Sequence, residues 1–262
     1  MTEHWAVGDL YEPYIGRWSR PVATEFLAWL GVPSGRDWLD VGSGTGALSE
    51  TIARVASPRS VVGVDPSADF VAYAAGRVGS DVVSFRVGDA QNIPLPDDSV
   101  DAAVAGLVLN FVPDPAAGLA EMSRVTRRGG VVAAYVWDYA GDMQLIRVFF
   151  DAAVELDPSA AEHDEGRRFP ICAPDPLREL FTGVGLGDVE VRAIDVPTRF
   201  ADFDDYWRPF LGGHFPAPAY AMSLDEDRRT ALRELIRSRL PIAADGSIDL
   251  IARAWAVRGT AG

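Results

Sequence analysis

The sequence predicts an α/β fold in which a doubly wound, mostly parallel sheet is covered by helices on both faces. Short apolar runs alternate with amphipathic helical segments as far as Trp137, which is the pattern of parallel strands joined by crossover helices. A glycine-rich turn follows the first of these apolar runs. With 262 residues, of which 48% are hydrophobic, the chain is long enough to bury a substantial core.

The first predicted elements are a helix, a strand and a second helix. Ser19 has the properties of an N-cap for the first helix, with Pro21 in the first turn. The first strand is expected over residues 36–41, and the helix that follows it over residues 46–56. The apolar face of the first helix consists of Val22, Phe26, Trp29 and Leu30.

Four further strands and two helices are expected before the pattern changes. Ser67 begins the first of these helices, and Asp114 caps the second, which has Pro115 at its first position and ends at Arg128. The strands are expected at residues 61–65, 82–89, 101–110 and 131–137. The inward-facing residues of the Ser67 helix are expected to be Phe70, Val71, Ala74, Ala75 and Val78.

The pattern changes after Trp137, which is the main candidate boundary within the chain. Aromatic and proline residues become dense over residues 169–220. Segments typical of strands return only at residues 189–194 and 248–257.

The turn after the first strand points to a positively charged cofactor. Asp40 precedes three closely spaced glycines, Gly42, Gly44 and Gly46, which let a ligand approach main-chain atoms. The spacing from Gly42 to Ala47 also satisfies the loose dinucleotide fingerprint, in which a pyrophosphate binds at a helix N-terminus. A carboxylate beside the turn would repel a pyrophosphate and attract an ammonium or sulfonium group. S-adenosylmethionine (SAM) carries both of these cations.

At these residues the chain resembles the class I SAM-dependent methyltransferases, in particular those that act on small molecules. The resemblance rests on the acid and glycines of the turn and on the acids that end the next two strands, Asp65 and Asp89. It implies that Asp65 holds the ribose hydroxyls, that Asp89 meets the adenine amino group, and that the end of the fourth strand passes the methionine part. Tyr14 and Arg17, in an aromatic and basic N-terminal segment, are candidates to close over that methionine part.

The resemblance also implies the cofactor site and the complete fold. The cofactor-binding residues are expected to be Tyr14, Arg17, Asp40, Gly42, Ser43, Gly44, Asp65, Pro66, Asp89, Ala90, Gln91, Leu107 and Asn110. The fold is expected to be a Rossmann-like, seven-stranded sheet that ends in an antiparallel hairpin, with a lid at roughly residues 196–222. Residues 1–262 would form a single domain. Its parts are an N-terminal helical segment (1–35), the SAM-binding core (36–137), substrate-side helices and lid (138–222), and a C-terminal helix and strand (223–262).

Composition excludes several other classes of function. A net charge of −14 opposes binding to nucleic acids. All 24 basic residues are arginine, so Schiff-base chemistry and a P-loop lysine are ruled out. The single cysteine, Cys172, allows no internal disulfide and no multi-cysteine zinc site, and we expect no metal.

The sequence also carries no sign of export or of a membrane anchor. We find no signal-peptide pattern at its N-terminus and no apolar run of roughly 18 residues. We therefore expect a cytoplasmic monomer or homodimer with no membrane partner.

The expected reaction is methyl transfer to a small-molecule acceptor by in-line displacement, driven mainly by positioning. His214, among aromatic residues, is the candidate catalytic base. The acceptor and the methylated atom stay open at this point. Two alternatives also stay open: a protein of this fold with cyclase, decarboxylase or ligand-binding function, and an NAD-linked oxidoreductase, against which Asp40 and Asp89 argue.

Overall fold

The structure is a computed structural model that describes residues 16–212 and 215–262. Its strands are β1 (Asp37–Val41), β2 (Ser60–Asp65), β3 (Val83–Val87), β4 (Val100–Gly106), β5 (Thr126–Trp137), β6 (Gly187–Phe200) and β7 (Ile248–Thr260). They form one sheet in the order β3-β2-β1-β4-β5-β7-β6. The order reverses between β1 and β4, and such a switch point is where doubly wound sheets bind ligands.

Helices connect these strands in nearly every case. They are α1 (Arg17–Leu30), α2 (Ala47–Val55), α3 (Ala68–Arg77), α4 (Pro115–Val125), α5 (Gln144–Leu156), α6 (Glu165–Arg168), α7 (Pro174–Gly183), α8 (Phe203–Trp207), α9 (Pro216–Ser223) and α10 (Glu226–Arg239). No helix in the described part of the chain is long and apolar enough to cross a membrane.

The direction of the strands confirms the predicted fold class. Parallel pairs join β1 to β2 and β4, β2 to β3, and β4 to β5. The last strand is antiparallel to β5, because Gly129 donates to the carbonyl of Ala261 and Ala261 donates to that of Gly130. Every residue of β1 is buried, whereas the edge strand β3 is half-buried or exposed. The turn that follows β1 is therefore joined to a fully buried strand in the middle of the sheet.

The chain divides into two compact units. The first unit comprises Ser19–Val136, Ile171–Ile194 and Ala254–Gly262, and the second comprises Trp137–Pro170, Asp195–Arg253 and the described residues 16–18. In the first unit, α1 packs Phe26 against Tyr135 of β5, with ring centroids 4.7 Å apart.

The second unit has an aromatic core of its own. Phe149 of α5 stacks on Phe210 at 4.6 Å, and the Tyr206 hydroxyl donates to the carbonyl of Leu145. Because Tyr206 is completely buried, the pKa of its hydroxyl is raised above the usual value. The dense aromatic segment predicted from the sequence therefore serves partly as the core of this unit.

Several predicted element boundaries are confirmed and others are wrong. Asp114 does cap α4, since its carboxylate accepts from the amide of Ala117, and Pro115 follows at the first helical position. Ser19 is not an N-cap, because α1 already begins at Arg17 and contains Pro21. The prediction that α4 continues to Arg128 is also wrong. Residues 126–130 belong to β5, whose backbone is paired with neighbouring strands there.

Three further corrections concern faces and strand ends. Ala75 of α3 is exposed, although Ala74 and Val78 are buried as expected. The fourth strand ends at Gly106 rather than continuing to Asn110, and a 3₁₀ turn occupies Leu109–Phe111. The segment expected as a lid begins with residues 196–200, and these belong to strand β6.

An ion-pair network joins the starts of four strands in the first unit. Asp37, the first residue of β1, accepts from Arg59 Nε at 2.7 Å, from Ser60 Oγ at 2.8 Å and from Arg127 Nη1 at 3.3 Å. Asp101 of β4 accepts from the backbone amide of Asp37 at 2.8 Å. The hydrogen bonds from Arg59, Ser60 and Arg127 hold the pKa of the Asp37 carboxyl well below its usual range, although burial opposes them.

We expect Asp37→Asn to destabilise the protein by about 2 kcal/mol at pH 7, because charge-assisted hydrogen bonds to arginine are lost. The low pKa of Asp37 means that this contribution is present at pH values above about 4 and is lost as the pH falls further. Urea unfolding of wild type and variant should therefore differ at pH 7 and converge toward pH 2. Asp81→Asn removes an exposed carboxylate and is the matched control. An equal effect of both substitutions at pH 7 would contradict the role of the network.

Candidate functional site

The turn between β1 and α2 is built from glycines with a left-handed backbone. Gly42, Gly44 and Gly46 have φ angles of 70°, 50° and 82°, values that side-chain-bearing residues rarely adopt. The amides of Gly42 and Ser43 both donate to the carbonyl of Val64, at 2.7 and 3.0 Å. The turn is thereby fixed to the end of β2.

Space as well as backbone angle requires glycine at the start of this turn. A Cβ atom on Gly42 would lie 2.4 Å from Cγ2 of Val108, and one on Gly46 would lie 2.9 Å from Val78. Val108, in the segment after β4, therefore lies directly beside Gly42. A Cβ on Gly44 would meet no atom closer than 4.0 Å. Space is therefore left beside Gly44, whose amide is bound to Asp65.

Asp40 is a buried carboxyl group at the end of β1. Its side chain accepts a 2.6 Å hydrogen bond from Ser49 Oγ of α2, and the residue is 1% exposed. Burial raises the pKa of Asp40 to about 7, and the nearby Asp65 carboxylate adds to the rise, while hydrogen bonds from Ser49 oppose it. The carboxyl group therefore changes its charge near neutral pH.

Asp65, at the end of β2, is held by two backbone amides. Gly44 donates to Oδ2 and Ser67 donates to Oδ1, each at 2.9 Å. Each carboxylate oxygen keeps further acceptor capacity. Burial raises the pKa of Asp65, and the two amides oppose that rise. Pro66, the next residue, is exposed. Both oxygens of this carboxylate are therefore fixed in position and can each accept from a further donor.

The predicted residues after β3 form a separate small turn. Asp89 is exposed, and its Oδ1 accepts from the amide of Gln91 at 2.8 Å. The side-chain carbonyl of Gln91 accepts from the amide of Asp114. Ala90 lies in van der Waals range of a Cβ built on Gly118 of α4. This turn is thus bound to the start of α4 through the side-chain oxygen of Gln91.

Leu107 and Asn110 follow the end of β4. Leu107 has a left-handed φ of 60° and donates its amide to the carbonyl of Tyr135. A leucine in this region is strained by roughly 1–2 kcal/mol, a cost that concentrates at ligand sites. Asn110, three residues after Leu107, and Ser43, in the glycine turn, each have a buried polar atom. These atoms, Asn110 Nδ2 and Ser43 Oγ, have no hydrogen-bond partner among the described residues.

These observations test whether SAM fits the residues present. The glycine turn leaves space beside Gly44, Asp65 has two fixed carboxylate oxygens suited to a vicinal diol, and Asp40 is a buried carboxyl group whose ionised form a bound cation would favour. Ser43 and Asn110 have buried polar atoms that a polar ligand would satisfy. The residues of the first unit therefore fit the cofactor. Among the described residues, no group of acids, histidines and cysteines could hold a metal ion.

Three further predicted residues, Tyr14, Arg17 and His214, are not described as part of the first unit. Tyr14 and His214 fall outside the described residues. Arg17 belongs to the second unit, where its Nη1 pairs with Asp205 at 3.1 Å and its guanidinium lies over the rings of Trp18 and Phe200. Its assignment to the cofactor stays a prediction.

Two residues that the sequence analysis did not single out complete the site. Ser49 is the hydrogen-bond donor to Asp40, and Val108 closes the space at Gly42. A small polar residue on the inner face of the helix after the turn is a weak sequence signal for the role of Ser49. The role of Val108 has no sequence signal, because a valine after an apolar strand has many ordinary roles.

The comparisons with known proteins point in one direction. Residues 39–134 match the methyltransferase domain family. The demethylmenaquinone methyltransferase of Roseiflexus castenholzii is 32% identical over 185 residues, which cover 65% of this chain and 76% of that protein. The malonyl-[acyl-carrier protein] O-methyltransferase of Pectobacterium atrosepticum is 34% identical over 114 residues, 44% of each chain.

A solved structure shows the same fold. A protein from Anabaena variabilis, described as a methyltransferase from an antibiotic biosynthesis pathway, superposes with a TM-score of 0.64 over 92% of this chain and 96% of that one. The sequence identity is 22%, so this likeness concerns the fold alone.

We expect Gly42→Ala to destabilise the protein by about 3 kcal/mol, because the new Cβ combines a left-handed backbone with a clash against Val108. Gly44→Ala is the matched control. It carries the same backbone strain without a clash, and should cost about 1 kcal/mol. Urea unfolding measures both free energies. Equal losses in the two variants would show that Val108 does not close the turn.

The raised pKa of Asp40 has a signed effect on stability. The folded protein retains a proton on Asp40 that the unfolded chain releases between pH 4 and 7, so this group's contribution to stability falls across that range and stays low above it. Asn cannot ionise, so we expect Asp40→Asn to abolish this fall in the free energy of unfolding. The ligand-free variant should then be more stable than wild type by about 2 kcal/mol or more at pH 8. At pH 4 the two proteins should be nearly equal in urea unfolding. A variant less stable than wild type at pH 8 would contradict the assignment.

Proposed function

The chain belongs to the class I SAM-dependent methyltransferases, and from this premise we propose that it transfers a methyl group from SAM to a small-molecule acceptor. The observation that carries the proposal is the oriented Asp65 carboxylate, held by Gly44 and Ser67 at the end of β2. We propose that its two oxygens accept from the ribose hydroxyls of the cofactor.

We propose that neighbouring residues bind the remaining parts of the cofactor. Asp40 supplies a negative charge toward the cationic groups, and Asn110 Nδ2 is a donor suited to a carboxylate. Ser43 Oγ is a further buried hydroxyl that such a ligand would satisfy. Asp89 is proposed to accept from the adenine amino group, for which its exposed carboxylate is available.

The bound cofactor supplies a methyl group on a sulfonium, which is reactive without further activation. The chain's residues need then only bind, orient and exclude water. Alignment of two reactants is worth up to roughly 7–11 kcal/mol of a reaction barrier. In the described part of the chain the site contains carboxylates and glycines rather than an evident acid–base pair, and this favours a mechanism driven by positioning. His214 stays the proposed base for an acceptor that must lose a proton.

The acceptor is proposed to be a small molecule. The net charge of −14 disfavours polyanionic acceptors such as nucleic acids. The two related proteins are named for different acceptors, demethylmenaquinone and malonyl-[acyl-carrier protein], so the relationship does not decide the acceptor of this chain. The aromatic residues at positions 200, 203, 206, 207, 210 and 220 are buried, so they do not identify the acceptor.

Calorimetric titration with S-adenosylhomocysteine tests the cofactor site. We expect binding to wild type and a loss of at least tenfold in affinity for Asp65→Asn, because the ribose hydroxyls lose a charged acceptor worth roughly 1.5–3 kcal/mol. Asp69→Asn removes an exposed carboxylate four residues away and should bind as wild type does. NAD should give no heat of binding.

Three outcomes would contradict the proposal in different ways. Absence of S-adenosylhomocysteine binding would remove the cofactor assignment. Binding of NAD alone would restore the dinucleotide interpretation of the glycine turn. Acceptor turnover with an unchanged methyl count and no release of S-adenosylhomocysteine would indicate cyclase or decarboxylase chemistry on the same fold.

A further inference from the structure

The carbonyl group of Thr45 lies inside the glycine turn and is bound by a side chain from another helix. Arg77, the last residue of α3, donates to this oxygen from Nε at 3.3 Å and from Nη2 at 3.2 Å. Thr45 itself is 9% exposed. These two are the hydrogen bonds to that oxygen within the described part of the chain. A carbonyl at this depth that lost them would carry a desolvation cost.

A carboxylate keeps the arginine in place. Glu50, in the first turn of α2, accepts from Arg77 Nη2 at 3.0 Å and from Arg20 Nε of α1 at 3.3 Å. The side chain of Arg77 is 29% exposed and spans from this carboxylate to the turn. The guanidinium is therefore fixed by two partners of different kinds, an anion and a backbone carbonyl.

The held carbonyl is adjacent to the atoms that orient the ribose acceptor. Thr45 directly follows Gly44, whose amide donates to Asp65. Rotation of the turn about the Gly44–Thr45 segment would move this amide away from Asp65. The start of the turn is held by the Val64 carbonyl, which accepts from the amides of Gly42 and Ser43. Arg77 is bound near the end of the turn, at the Thr45 carbonyl.

We propose that Arg77 is a positioning residue for the cofactor, which locks the glycine turn through the Thr45 carbonyl without itself touching the ligand. The inference rests on the proposed binding of SAM at Asp65. It goes beyond that proposal by assigning cofactor affinity to an arginine on α3 and to its partner Glu50. The Arg77 contact orders the glycine turn before the ligand binds. Without it, part of the binding free energy is used to order the turn, and the affinity falls.

Calorimetric titration of Arg77→Met with S-adenosylhomocysteine tests the lock. The expected result is a fivefold to tenfold weaker affinity than wild type, measured well below the unfolding temperature of the variant. Arg77→Lys keeps one donor and the charge, and should recover part of the affinity. The matched control is Arg54→Met. Arg54 is exposed on α2 and donates to Thr24 Oγ1 of α1 at 3.3 Å, so its loss should leave the affinity unchanged.

A double-substitution cycle separates positioning from general stability. If Glu50 acts through Arg77, Glu50→Gln weakens binding in wild type but has no further effect in Arg77→Met. Affinity of Arg77→Met within twofold of wild type, or an equal loss in Arg54→Met, would overturn the inference. Failure of wild type itself to bind S-adenosylhomocysteine would instead overturn the proposed function.

Discussion

The glycine turn between β1 and α2 has no room for side chains at its first position, and the rest of the candidate site depends on this constraint. Val108 closes the space beside Gly42, and the carbonyl of Val64 binds the amides that follow. The turn is thereby pressed between the ends of β2 and β4. Asp65 can then receive the amide of Gly44. Close packing at Gly42 therefore helps to position the amide of Gly44, two residues later, for its hydrogen bond to Asp65.

The two ends of the parallel strands carry acids in opposite electrostatic situations. At the amino ends, Asp37 is bound by arginines and its pKa is lowered. At the carboxyl ends, Asp40 and Asp65 receive only hydroxyl and amide donors among the described residues, and burial raises their pKa values. Paired charges at one end stabilise the sheet, while buried acids without a cation at the other end are suited to a positively charged ligand.

Sequence patterns predicted the sheet and the acids at its strand ends, because burial on both faces produces continuous apolar runs that stop where the strand stops. Helix ends were predicted less well. Pro21 was expected near a helix start, yet α1 accommodates it inside, and the basic residues after Val125 resembled a helix end although their backbone pairs in β5. Contacts such as Arg77 with Thr45 join residues 32 positions apart. No local pattern reports them, since they arise only when two helices flank the same turn.

The burial of Asp40 also affects how long the protein survives without its ligand. A site that holds an acid away from water lowers the free energy of unfolding at neutral pH, and a bound ligand restores it by mass action, by about 2.7 kcal/mol at a hundred times its dissociation constant. The ligand-free form is then the one that unfolds more often and is exposed to proteases. Resistance to proteolysis is thus expected to rise when the ligand is bound.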